Sequence, residues 1–166
     1  FIIEGIKMYE EAPRERIVKV YASESFYDEL LDPARYFGDI PFEVVKDTVF
    51  KEISDTITPQ GIMAVIKRYH YTLEEILHND TANLVVLEDL RDPGNLGTIV
   101  RTSEGAGVTG IILSKSSVDI YNPKVIRSTM GSIYRMPHIY VEDLKEALKE
   151  AEKAGIVLYA AHLAGE

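Results

Sequence analysis

Residues 84–101 read Leu84-Val85-Val86-Leu87-Glu88-Asp89-Leu90-Arg91-Asp92-Pro93-Gly94-Asn95-Leu96-Gly97-Thr98-Ile99-Val100-Arg101. The four apolar residues at the start are typical of a strand that is buried on both faces. The Pro93-Gly94 pair predicts a tight turn, and the residues that follow it predict a helix over 95–106. A buried strand that turns directly into a helix is the repeating unit of an α/β fold with a parallel sheet.

The second half of the chain continues this strand–helix alternation. Asn122 is a good helix N-cap residue and Pro123 a good first helical residue, while Gly155 is typical of the position just after a helix. The alternation predicts a parallel sheet with helices on both faces, in which ligands bind beyond the carboxyl ends of the strands. Further strands are predicted over residues 110–113 and 156–161, and further helices over 123–132 and 141–154.

A small α/β module precedes this sheet. Between the two lies an acidic segment, residues 73–82, that contains a short helical pattern and the polar turn His78-Asn79-Asp80-Thr81. The sequence therefore predicts a first domain at residues 1–72, a linker at 73–82 and a second domain at 83–166. In the first domain, strands are predicted at 17–22, 42–45 and 61–69, and helices at 2–12, 25–31 and 47–53.

The composition excludes several classes of site. The 166 residues include no cysteine, so disulfide frameworks, thiolate metal sites and cysteine nucleophiles are excluded. The four histidines do not have metal-ligand spacing, and we predict no metal.

No apolar run is long enough for a membrane helix and no signal-peptide pattern is visible, so we expect a cytoplasmic protein without a membrane partner.

The charge balance contains a local exception. The net charge of −9 argues against a nucleic-acid-binding protein, whose surface is usually basic. Residues 91–135, however, carry six basic and three acidic side chains, a net charge of +3. Two predicted helices begin in this stretch, and helix N-termini with nearby arginines bind phosphate groups. The residues alone leave two readings open: Asn95 and Arg101 form a binding edge, or Asn95 is a helix cap and Arg101 a solvated side chain.

At two segments the sequence resembles the SpoU (TrmH) branch of the SPOUT RNA methyltransferases. Residues 92–102 look like the family's first motif, built around Asn-x-Gly-x-x-x-Arg, and residues 127–137 look like its second. Two short segments are similar to parts of the family's N-terminal module: Phe1-Ile2-Ile3-Glu4-Gly5 and Thr58-Pro59-Gln60-Gly61-Ile62. The resemblance implies a small ribosomal-protein-like α/β domain that binds the substrate, followed by a parallel-sheet domain of the SPOUT, or trefoil-knot, type.

The resemblance also implies an activity. It is the transfer of a methyl group from S-adenosylmethionine to a ribose 2′-hydroxyl of structured RNA, with ribosomal RNA favoured over transfer RNA, by a homodimer. Arg101 would stabilise the developing alkoxide, and Asn95 would orient the hydroxyl or its ribose. The same resemblance implies two further groups of residues. The substrate would be contacted by Arg127, Ser128, Arg135 and Gly97, and the cofactor by Ala160, Ala161, His162 and Leu163.

The family's third motif, a Gly-Glu-Gly stretch with a later Ser-Leu-Asn stretch, is absent from these residues. In the family that segment threads the knot and forms much of the cofactor pocket. We therefore expect this polypeptide to be a truncated SPOUT domain that leaves the pocket incomplete and is itself inactive.

Two other functions compete with this one. The first alternative is an RNA-binding module without catalysis, which would be either a fragment of such an enzyme or a degenerate relative. An unrelated doubly wound nucleotide-binding protein would need a Gly-x-Gly-x-x-Gly turn or a Walker-type Gly-Lys-Ser/Thr, and neither is present.

Overall fold

The computed structural model of the protein describes residues 1–78 and 81–161, which form two β-sheets flanked by helices. The α/β class and the parallel sheet of the second half are both confirmed. Within the described part of the chain, no helix is long and apolar enough to cross a membrane.

The first sheet is mixed. It contains β1 (Ile2–Glu4), β2 (Ile17–Ser23), β3 (Phe42–Val45) and β4 (Ile62–Ile66). The strand order is β1-β4-β2-β3, and only β2 and β3 run parallel among these neighbours. Four short helices accompany it: α1 (Ile6–Glu11), α2 (Glu24–Glu29), α3 (Pro33–Phe37) and α4 (Asp47–Ile53).

The helix predicted over residues 2–12 is wrong at its start. Ile2–Glu4 pairs with β4 as an antiparallel strand, and α1 begins only after Gly5, whose φ of +104° is a conformation that glycine adopts readily. The helix predicted over 25–31 begins one residue earlier, because the Ser23 side chain accepts the Phe26 N–H and is the N-cap. The strand β3 and the helix α4 are confirmed to the residue.

The second sheet is parallel and has helices on both faces. It contains β5 (Leu84–Leu87), β6 (Gly110–Ser114) and β7 (His138–Val141) in that order. Alternate side chains of a strand point to opposite faces, and β6 shows this: Ile111 and Leu113 pack in one core cluster and Ile112 in another. The helices α6 (Pro93–Gly105) and α7 (Pro123–Thr129) contribute to the first cluster, and α5 (Leu73–Leu77) and α8 (Leu144–Lys153) to the second.

Two sequence expectations for this sheet are wrong. The segment His138–Val141 is a strand that pairs with β6, whereas a helix was expected from residue 141; Asp143 caps α8 instead. The strand predicted over 156–161 is absent, because no described strand pairs with this segment. A strand is stabilised by a hydrogen-bonded neighbour, and without one Val157 and Tyr159 are 70% and 93% exposed.

The two sheets share one apolar core. The Tyr134 hydroxyl donates to the Met8 carbonyl at 2.8 Å, and the rings of Phe1 and Tyr121 stack with centroids 4.7 Å apart. The Tyr121 hydroxyl also accepts the Tyr69 N–H at 2.9 Å. The sequence boundary at 73–82 lies at α5, between the two sheets. Buried residues of both halves belong to one cluster, so the two halves are packed together.

Helices α6 and α7 touch at a glycine. A Cβ built at Gly97 would overlap Ser128 Cβ and lie 2.7 Å from the Val125 carbonyl oxygen. Gly94, one turn earlier on α6, is near Lys124 at the start of α7. The two helices therefore begin side by side at the same end of the sheet.

We expect Gly97→Ala to lower the free energy of unfolding by about 1–3 kcal/mol, because the new methyl group must push α7 away. Gly105→Ala is the matched control: it lies on the same helix with nothing within 4 Å of its Cβ position. That control should raise stability by about 0.5–1 kcal/mol. Urea unfolding of both variants checks the difference, and equal effects would contradict close packing at Gly97.

We also expect stability to depend on His138. Burial lowers the pKa of this imidazole, which is 5% exposed and lies 3.1 Å from the Tyr121 hydroxyl. The folded chain therefore binds the proton less well than the unfolded chain, in which the histidine has a pKa of about 6.5. Stability should fall as the pH drops below that value.

The measurement compares the urea midpoint at neutral and mildly acidic pH. His138→Gln should flatten the pH dependence, whereas the exposed control His70→Gln should leave it unchanged. An unchanged slope in His138→Gln would rule out the buried imidazole as its origin.

Candidate functional site

Two loops that are hydrogen-bonded to each other form the carboxyl edge of the second sheet. The loop that follows β5 is bound to the loop that follows β6: the Asp89 N–H donates to Ser114 Oγ at 2.8 Å and the Leu90 N–H to Ser117 Oγ at 3.1 Å. The Val118 N–H donates in return to the Leu90 carbonyl at 2.8 Å. These bonds fix the backbone that leads into α6 and α7.

An internal ion pair occupies the first loop. Arg91 donates to both carboxylate oxygens of Asp89, at 3.0 and 2.9 Å. The hydrogen bond from Arg91 lowers the pKa of Asp89, and Asp89 itself has a left-handed backbone with φ +48°. Arg91 is thereby neutralised locally and adds little to a binding edge for anions.

The start of α6 leaves Asn95 available. Asp92 is the N-cap, accepting the Asn95 N–H at 2.7 Å, and Pro93 occupies the first turn. The alternative in which Asn95 caps the helix is therefore wrong. The Asn95 side chain is exposed and has no hydrogen-bond partner among the described residues. An amide with a free donor and a free acceptor remains at the mouth of the helix.

Arg101 is held by a sulfur atom. Its Nη1 donates to Met130 Sδ at 3.0 Å, and the side chain is exposed. Met130 follows α7 directly and has a left-handed backbone, φ +49°, which is strained for a residue with a side chain. In the part of the chain that the structure describes, no carboxylate pairs with Arg101, so its positive charge is not neutralised.

The other arginines of the basic stretch do have carboxylate partners. Arg127 lies 3.9 Å from Asp55 of the first half. Arg135 pairs with Glu104 at 2.8 Å and with Glu11 at 3.5 Å, and its hydrogen bond lowers the pKa of Glu104. Both arginines link the halves of the protein. Their contact with substrate stays a prediction.

Two other predicted substrate residues lie at the helix crossing. Gly97 is buried and packs against α7, so the structure gives it a packing role. Ser128 is half-buried beside it, and its hydroxyl donates to the Lys124 carbonyl at 2.9 Å. Asn95 and Arg101 are on the same helix, about 9 Å apart along its axis at 1.5 Å per residue, and no contact joins their side chains in the described part of the chain.

Two of the four predicted cofactor residues lie in the described part of the chain. Ala160 and Ala161 are exposed and belong to no strand. His162 and Leu163 lie outside the described residues. Ala160 and Ala161 do not enclose a pocket for a nucleoside-sized group.

Residues 1–78 and 81–161 contain no group of three or more metal-ligating side chains placed to hold an ion. The absence of a metal from the site stays a prediction.

One contributor to the site was not identified from the sequence. Met130 lies inside the second motif, but its thioether carries no charge and its contact with Arg101 joins residues 29 positions apart. Only the crossing of α6 and α7 brings the two together.

Two family models match the chain. The SpoU rRNA Methylase family matches residues 82–166, and the RNA 2′-O ribose methyltransferase substrate binding family matches residues 2–72.

Curated proteins similar to the chain are rRNA methyltransferases. The 23S rRNA (guanosine(2553)-2′-O)-methyltransferase RlmP of Bacillus subtilis is 33% identical over 98% of this chain and 62% of its own length. Mitochondrial rRNA methyltransferase 3 of Mus musculus is 38% identical over 63% of this chain and 26% of its own length. The chain thus spans less than two thirds of the length of these relatives.

Solved structures of related proteins have the same fold. An AdoMet-bound rRNA methyltransferase from Sinorhizobium meliloti superposes with a TM-score of 0.71 at 27% identity, over 91% of this chain and 58% of the other. The SpoU methyltransferase AviRb from Streptomyces viridochromogenes superposes with a TM-score of 0.75 at 19% identity, over 93% of this chain and 58% of the other. The lower identity of AviRb supports the fold alone.

Proposed function

This chain belongs to the SpoU rRNA methylase family, and we propose that the protein methylates a ribose 2′-hydroxyl of structured ribosomal RNA. The observation that carries the proposal is Arg101, an exposed guanidinium that no described carboxylate neutralises. It lies on the helix that follows the carboxyl edge of a parallel sheet, where α/β folds bind their ligands. The names of the relatives in Bacillus subtilis and Mus musculus support rRNA as the substrate.

We propose S-adenosylmethionine as the methyl donor, supported by the AdoMet-bound relative from Sinorhizobium meliloti. Its sulfonium makes the methyl group electrophilic, which leaves the protein to align and assist a weak nucleophile.

Arg101 assists that nucleophile as a fixed cation. A free guanidinium has a pKa above about 12 and is a poor base, so it stabilises the negative charge that develops on the 2′-oxygen while a phosphate oxygen of the RNA accepts the hydroxyl proton. A carboxylate beside Arg101 would cancel this effect. The Met130 thioether is a weak acceptor without charge, so it orients the guanidinium and leaves the full positive charge for the substrate.

Asn95 completes the proposed arrangement. Because Asp92 already caps the helix, the Asn95 amide is free to bind the ribose through its donor, its acceptor or both. Arg127 and Ser128 lie on the neighbouring helix α7. We propose that they contact the same RNA segment.

The remaining assignments rest on the relatives. We propose that residues 1–72 form the domain that holds the RNA, supported by the substrate-binding family model over residues 2–72. A cytoplasmic location is supported by the bacterial relative, which matches almost the whole chain. A homodimer is proposed from the family resemblance, and light scattering of the full-length protein tests it.

We expect Arg101→Ala, made in the full-length enzyme, to lower the turnover of methyl transfer to rRNA about 100-fold or more, because a preorganised stabiliser of negative charge is lost. RNA affinity should stay within a few-fold. Radioactive methyl transfer and filter binding measure the two quantities. The matched control is Lys145→Ala, which removes one exposed positive charge from α8 and should alter neither.

A parallel loss of affinity and turnover in Arg101→Ala would make Arg101 an anchor for RNA. RNA binding by the native protein without any methyl transfer would leave the non-catalytic RNA-binding module as the function.

We expect Met130→Leu to lower turnover about threefold to tenfold at unchanged KM, because the guanidinium loses its acceptor and its fixed orientation. Leucine has a similar volume and the same backbone strain at φ +49°, so packing is matched. Met130→Gln supplies an uncharged amide oxygen and should restore most of the turnover. Full activity in Met130→Leu would contradict the positioning role.

A further inference from the structure

A cleft in the first half of the protein lies apart from Arg101. It has a volume of about 550 Å³, within the range of about 300–1,000 Å³ that ligand sites occupy. It lies between α2, α4 and the loop at residues 59–61. Ile6, Phe26 and Leu30, which are half-buried, supply its apolar surface.

Gln60 supplies a hydrogen-bond donor with a fixed direction. Its Oε1 accepts the Ile6 N–H, at the start of α1, at 2.9 Å. A backbone N–H can only donate, so the amide oxygen must face Ile6 and the NH₂ group must face away from it. No acceptor for that NH₂ group is found among the residues the structure describes.

Asp47 supplies an acceptor in the same way. One carboxylate oxygen, Oδ1, accepts both the N–H and the hydroxyl of Ser25, at 3.1 and 2.8 Å. These hydrogen bonds lower the pKa of Asp47, so the carboxylate is ionised at neutral pH. The Ser23 side chain also favours the ionised form of Asp47, and this carboxylate lines the cleft.

The wall that carries Gln60 is closely packed. A Cβ at Gly61, where φ is +79°, would lie 2.6 Å from both Phe26 Cβ and Ser23 Oγ. Phe50 at the base of the cleft is 1% exposed. The apolar surface is therefore formed before any ligand binds.

We propose that this cleft binds one unstacked nucleobase of the RNA, with Asp47 accepting from its exocyclic amino group and Gln60 donating to a neighbouring ring or carbonyl acceptor. The inference rests on the proposed function for its choice of RNA, which residues 2–72 support through their match to an RNA substrate-binding family. A planar base covers the apolar surface at Phe26 and offers a donor and an acceptor along one edge. A phosphate is disfavoured, because the residues that line the cleft include two carboxylates, Glu29 and Asp47, and only one cation, Lys51.

The same chemistry gives the cleft a base preference. Cytosine, adenine and guanine carry an exocyclic amino group, whereas uracil has carbonyl oxygens on both sides of its N–H. Uracil can offer only its N3–H to the ionised carboxylate, and the two flanking carbonyl oxygens then lie close to the negative charge and weaken the contact. Cytosine-containing RNA should therefore bind more tightly than uracil-containing RNA.

The experiment measures fluorescence anisotropy of labelled oligocytidylate and oligouridylate of equal length with the full chain. The native protein should prefer oligocytidylate, and Asp47→Asn should weaken its binding about tenfold, the loss of one good base contact. Asp28→Asn makes the same charge change on α2, outside the residues that line the cleft, and should leave affinity unchanged or slightly higher.

Gln60→Glu separates recognition from folding. Its carboxylate still accepts the Ile6 N–H but removes the donor, so oligocytidylate binding should fall while the thermal midpoint holds. Equal binding of the two oligonucleotides, no binding of either, or identical behaviour of Asp47→Asn and Asp28→Asn would overturn the proposal.

These outcomes are independent of methyl transfer. If rRNA is methylated normally and Asp47→Asn binds RNA as tightly as the native protein, the base site is ruled out and the proposed function stands. If RNA binding depends on Asp47 but the native protein transfers no methyl group, the base site stands and the proposed function is ruled out.

Discussion

The contact between the backbones of α6 and α7 at Gly97 is the constraint on which the site depends. Any side chain at that position would overlap Ser128 and the Val125 carbonyl, so only glycine lets the helices approach. Their closeness brings Met130, at the end of α7, within 3.0 Å of Arg101. It also places both helix starts at one edge of the sheet, where the loops after β5 and β6 are hydrogen-bonded to each other.

The distribution of ion pairs explains how an acidic protein presents a cation. Most arginines of the basic stretch are paired: Arg91 with Asp89, Arg127 with Asp55, and Arg135 with Glu104 and Glu11. Exposed pairs of this kind contribute little stability, about 0–1 kcal/mol each, but they cancel local charge. Arg101 has a thioether in place of a carboxylate. Position, rather than net charge, therefore decides which cation a substrate anion meets.

Most of the fold could be predicted because its signals are local. The apolar runs at β5 and β6, the cap Asn122 and the Asp47–Ile53 helix need only their own residues to be recognised. The failures are segments whose state depends on a partner. Ile2–Glu4 is a strand because β4 lies beside it, and His138–Val141 is a strand because β6 does. Residues 156–161 have a strand-like composition, but no described strand pairs with them.

Residue types and their spacing along the chain predicted the α/β class and the order of most elements, and the family resemblance then identified Asn95 and Arg101 as candidate site residues. Tertiary structure alone decided that Asp92 rather than Asn95 caps α6, that Arg135 is neutralised, and that Met130 holds Arg101. It also formed the cleft between Asp47 and Gln60. The physical reason is that charge pairing and hydrogen bonding between distant residues depend on distances that spacing along the chain does not contain.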